Sequence, residues 1–220
     1  MLKLIWSPLI CFALLTVSGG SGPKTAYQPP EVISASETLF PMDLGVPGGT
    51  VVLKVSLDGQ GKIIGSEVEH DIQRLGAIAQ SSVKTWQFKP AARDGEASPS
   101  EMTVAFAFVP QNFGGTPLPF SPAEQDLSAA SAPAGVISIV YPPNPTTAVR
   151  YGADVVQVSL DKTGKIQSVK TVRELGVLNG FATEAAKKWK FSPARMAGRP
   201  VNSNVAIAFV FASAYSIRKP

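Results

Sequence analysis

Residues 52–108 recur as residues 155–211 in one register and without a gap. Trp86 and Trp189 lie 103 residues apart, and the same offset lays VSLDGQGKI (55–63) on VSLDKTGKI (158–166), WQFKPAARDG (86–95) on WKFSPARMAG (189–198) and AFAF (105–108) on AFVF (208–211). About 20 of the 57 paired positions are identical. Convergent composition does not hold one register that long, so the chain is a tandem duplication. Its fold is therefore a small domain used twice.

Each copy has the same grammar. Leu53, Val55 and Leu57 alternate with Lys54, Ser56 and Asp58, as Val156, Val158 and Leu160 do with Gln157, Ser159 and Asp161, the pattern of half-buried strands. Asp58–Gly61 and Asp161–Gly164 supply turn residues that fold each strand into a hairpin, with return strands predicted over 63–69 and 166–172. A helical period follows: Leu178, Phe181, Ala182, Ala185, Ala186 and Trp189 share one face, matched by Leu75, Ile78, Ala79, Val83 and Trp86. Pro90 and Pro193 bar any helical continuation. In the final strands Val104, Phe106, Phe108 and Val205, Ile207, Phe209, Phe211 point one way, and Ala105, Ala107, Ala206 and Ala208 the other.

The expected organisation is an export signal over 1–22, a first domain over 38–109, a connector over 110–135 and a second domain over 136–213. The apolar run Leu4–Val17 has the length of a signal-peptide core and falls short of a bilayer span. An uncleaved anchor is the alternative, and membrane attachment is expected only in that case. Cys11, the one cysteine, lies inside that run, so a cleaved chain would contain no thiol and its stability would come from packing alone. The connector is rich in Pro, Gly, Ser and Ala, and the two domains are not required to dock rigidly.

Chemistry is sparse. A net charge of +4 comes from dispersed Lys and Arg, without the dense basic run of a nucleic-acid groove. His70 is the only histidine, and Arg173 replaces it in the second copy. Asp58 and Asp161 recur at turns, where an Asp bonds its own backbone two residues on. No glycine-rich phosphate loop is present. The expectation is a chain with no catalytic residue, metal or cofactor, and no nucleic-acid partner.

The ordered series Tyr141-Pro142, Gly152, Val155, Val158, Leu160-Asp161, Gly164, Ile166, Leu178, Trp189, Phe191, Pro193-Ala194, Gly198, Pro200-Val201 and Phe209 resembles the C-terminal domain of the TonB energy transducers. The first copy keeps Phe40-Pro41, Gly49, Val52, Leu57-Asp58, Gly61, Trp86, Phe88, Pro90-Ala91 and Gly95. The resemblance implies an α+β fold: two tandem small domains, each a three-stranded antiparallel sheet packed on a helix.

It also implies a periplasmic, non-enzymatic module that binds extended segments of outer-membrane receptors or other envelope proteins by strand addition. The family's contact surface, carried over by position, is the lead-in Ile139, Val140, Tyr141 and Pro142 with the edge Asn204, Val205, Ala206, Ile207, Ala208 and Phe209. First-copy counterparts are 38–41 and 103–108. The same edge could instead pair within a homodimer. The alternative function is an energy transducer anchored in the inner membrane by residues 1–22 and supporting receptor transport. Only about 18 residues separate Gly22 from Phe40, at most roughly 60 Å of extended chain.

Overall fold

The structure, a computed structural model, describes residues 27–41, 48–72, 75–114, 120–122, 129–145 and 152–212. The expected export segment 1–22 with Cys11 lies outside the described residues, as do two stretches of the connector. The first copy comprises β1 (Glu31–Ser34), β2 (Gly49–Leu57), β3 (Ile63–His70), α1 (Leu75–Val83), β4 (Gln87–Lys89), β5 (Ala91–Arg93), β6 (Glu96–Ser98) and β7 (Ser100–Val109). The second comprises β8 (Val136–Ser138), β9 (Gly152–Leu160), β10 (Ile166–Arg173), α2 (Leu178–Ala186), β11 (Lys190–Phe191), β12 (Ala194–Met196), β13 (Arg199–Val201) and β14 (Ser203–Phe211). The long strands and helices of the copies start at positions 103 apart, as the repeat requires.

Turn chemistry sets the hairpins. The Asp58 carboxylate accepts from the amides of Gln60 and Lys62, each at 2.9 Å, and Asp161 does the same for Thr163 and Lys165 at 2.8 and 3.1 Å. Gly61 and Gly164 follow at φ +81° and +82°. A side chain at Gly61 would put its Cβ 2.2 Å from the Phe88 carbonyl oxygen, so the turn demands glycine twice over: for its backbone angle and for the strand passing beneath it.

The helices are shorter than the apolar period suggested. Leu178, Ala182, Ala185 and Ala186 are buried, but Phe181 is 43% exposed, and Trp189 lies beyond the helix end at Ala186. Its amide bonds the Ala186 carbonyl at 3.1 Å, and the Trp86 amide bonds the Val83 carbonyl at 3.0 Å, a tightened final turn that drops each indole onto the sheet. Pro90 and Pro193 therefore do not stop the helices; they separate β4 from β5 and β11 from β12, where a missing amide proton breaks the ladder.

The long strands do not form two separate three-stranded sheets. They form one six-stranded sheet in the order β10-β9-β14-β7-β2-β3. Within each copy the pairing is antiparallel, whereas the join between copies is parallel, from Val205 opposite Thr103 to Phe211 opposite Val109. That geometry corresponds to a pseudo-two-fold axis along the strands, and it puts the helices on opposite faces. Val104, Phe106 and Phe108 pack with α1, joined by Ala206, Ala208 and Val210 of the second copy. Val205, Ile207, Phe209 and Phe211 pack with α2, joined by Ala105, Ala107 and Val109 of the first. The small residues of each last strand thus extend the other copy's core.

The lead-ins reinforce the join by reaching across it. β1 pairs with β4 of its own copy, yet the Val32 amide donates to Gln157 Oε1 at 2.7 Å and Asn204 Nδ2 donates to the Pro30 carbonyl at 2.9 Å. In the opposite sense Thr103 Oγ1 donates to the Ala134 carbonyl at 2.6 Å, and Thr50 Oγ1 and the Tyr141 hydroxyl share a hydrogen bond of 2.6 Å. Asn144 ties the strand ends together, its Nδ2 lying 3.1 Å from the carbonyls of both Pro110 and Ala212. The copies, which the sequence alone did not require to dock rigidly, share a sheet, and residues 132–135 at the end of the connector are bonded to both halves.

Candidate functional site

Asn204–Phe209, expected as a free edge, lies in the middle of the sheet. Every residue from Val205 to Phe209 pairs with β7 on one side and β9 on the other, and all five side chains are fully buried. The counterpart 103–108 is likewise held between β14 and β2. No unpaired backbone is left there, because each last strand is paired with the other and with the first long strand of its own copy. The expected edge is therefore an interface within the chain.

The lead-in residues are occupied in a similar way. Tyr141 is buried and packs edge-on against Phe113 at 5.6 Å between ring centroids. Burial pushes its hydroxyl up to about 12, against a smaller opposing effect of the Thr50 hydrogen bond. The Val140 carbonyl accepts from Trp189 Nε1 at 2.8 Å. Pro142 is buried, and Ile139 and Val140 are half-buried against the α2 core. Over the first copy, Thr38 bonds the hydroxyl of Ser82. Among the described residues Trp86 Nε1 is buried with no acceptor, and the indole-to-lead-in bond is seen in the second copy.

Among the described residues the unpaired strand edges lie elsewhere. β3 and β10 terminate the sheet, and each has register shifts against its neighbour, irregularities that twist an edge and limit indiscriminate pairing. Their side chains differ in charge. β3 bears Glu67 and Glu69, whereas β10 bears Lys170 and Arg173. Lys54 Nζ holds Glu67 at 2.6 Å, and Arg173 contacts Glu37 at 3.4 Å.

Two titratable residues, His70 and Asp154, bear on a chemical reading. His70 ends β3; its Nε2 is buried without a partner among the described residues, its ring stands edge-on to Phe120 at 4.9 Å, and burial holds its pKa below the usual histidine value against an opposing pull from Asp71. No three His, Cys, Asp or Glu side chains among the described residues are placed to hold a metal ion. Asp154 went unnoticed in the sequence although it interrupts a run of buried apolar residues. It is fully buried, accepts from the Leu175 amide and Asn179 Nδ2 at 3.1 Å each, and has its pKa raised by burial. Val51 at the equivalent position shows that the fold does not require it.

A repeated unit of hairpin, helix and final strand, joined through its last strands, defines a paired α+β module. The family model for the Gram-negative bacterial TonB protein C-terminal matches residues 47–110 and 138–212. The chain belongs to this family and contains two tandem copies of its domain. No curated protein and no solved structure matches the chain. Among the described residues no helix is long and apolar enough to cross a membrane.

Proposed function

We propose that this chain is a periplasmic, non-enzymatic protein-interaction module that binds extended segments of envelope proteins at the outer edges of its shared sheet, β3 and β10. The observation that carries the reading is the pairing of both family domains through their last strands. Domains of this family act by adding a segment to a sheet, and here the sheet ends at β3 and β10. Displacing β7 from β14 would exchange one ladder for another while uncovering buried side chains on both faces, so it yields no net gain in hydrogen bonding. The same occlusion weighs against a receptor-coupled transducer that presents its last strand.

Titrating isotope-labelled protein with N-terminal peptides of outer-membrane receptors tests the reading by NMR. Amide shifts confined to 63–70 or 166–173 are the expected result. Shifts centred on 204–209 would show that the shared sheet opens and would overturn the edge assignment. Silence across the whole panel would count against receptor binding.

A further inference from the structure

The two outer faces of the sheet, each beneath the lead-in of the other half, are equivalent in backbone and unequal in chemistry. Over the second copy, Gln157 and Asn204 bond the crossing segment directly. At the corresponding positions the first copy has Lys54 and Glu101, and opposite Lys170 and Val172 it has Glu67 and Glu69. Among the described residues those side chains bond no part of the segment that crosses them. They line a cavity of about 450 Å³ walled by Val52, Phe120 and Val136, within the roughly 300–1,000 Å³ typical of ligand clefts.

Charge in this cavity is unbalanced. Lys54 faces three carboxylates and pairs with one, Glu67, at 2.6 Å. Among the described residues Glu69 and Glu101 make no ion pair within 4 Å. Glu69 is half-buried, and its pKa is raised chiefly by burial, with Glu67 and Glu101 adding to the shift and Lys54 opposing it. Two carboxylates beside apolar and aromatic walls suit a cation with an apolar stem, which would gain both charge pairing and contact with the Phe120 ring. The carboxylates on β3 stand beside the backbone at which a bound segment would lie.

We infer that this cavity is a receptor for a lysine or arginine side chain, so that a partner segment is selected by a basic residue beside the β3 edge. The inference rests on the interaction-module reading for the source of the cation. A neutral or acidic segment gains nothing there, and the second copy offers no equivalent, since Lys170 occupies the place of Glu67.

NMR titration of the full chain with acetyl-Val-Lys-Val-amide, acetyl-Val-Glu-Val-amide and n-butylammonium chloride, against sodium chloride at equal ionic strength, tests it. The lysine peptide and butylammonium are expected to shift the amides of Glu69, Glu101, Gly135 and Val136; the glutamate peptide and sodium are not. Glu69→Gln and Glu101→Gln, both tolerant positions with unchanged melting expected, should each weaken the lysine peptide about fivefold, the scale of one partly exposed ion pair. Equal shifts from both peptides, undiminished binding by the Gln variants, or no cation-dependent shift would overturn the inference. Receptor peptides that still moved 63–70 in that event would leave the edge reading standing.

Discussion

Trp189 shows how much of each domain is held by one side chain. It is 2% exposed, meets Phe209 at 6.0 Å and Phe191 at 6.2 Å between ring centroids, and donates its indole proton to the lead-in. Trp189→Ala removes all of this and should destabilise the protein by about 3–5 kcal/mol in denaturant unfolding. Trp86→Phe, which removes an indole proton without a partner, should cost less than Trp189→Phe. Tyr141 makes a pH-dependent prediction. Its folded value of about 12 lies above the ordinary tyrosine value of 10.0, so its contribution to stability is intact below pH 10 and is lost as pH rises toward 12. Tyr141→Phe should flatten that alkaline loss in melts recorded across the range, and the phenolate absorbance that appears last in the native protein should vanish with it.

The elements themselves were legible from local periodicity. Alternation located β2 and β9, the Asp and Gly of the turns located the hairpins, and the apolar stripe located both helices. Their neighbours were not legible, because a period of two residues tells which side chains share a face and says nothing about which strand lies alongside. The last strands did contain a signal. Val-Ala-Phe-Ala-Phe and Val-Ala-Ile-Ala-Phe have no polar residue on either face, which fits a strand covered on both sides better than an open edge. Phe181 misled for the opposite reason, since it satisfies the helical period while standing 43% exposed at the rim of the core. Ala208→Asp, at a fully buried position between Val155 and Phe106, should cost at least about 3 kcal/mol. Ile64→Asp on β3, where the side chain is 65% exposed, should change stability by no more than about 0.5 kcal/mol.

At the scale of the molecule, the two copies should behave as halves of one folding unit. Residues 27–114 and 129–212 produced as separate polypeptides should co-purify as a one-to-one complex by native mass spectrometry. Two independently stable monomers would contradict the shared sheet. The parallel join between β7 and β14 has a further consequence for how such a protein can change. In an assembly of two identical chains, every substitution appears on both sides of the axis, so a cluster such as Lys54, Glu67, Glu69 and Glu101 would be present twice. Covalent fusion removes that obligation, and it also replaces an encounter in solution with a tethered one of about millimolar effective concentration. One half can then accumulate charge while the other retains Gln157 and Asn204 as structural bonds, and a buried Asp154 can arise opposite a Val51 that never changes. Duplication released this pair from its own symmetry.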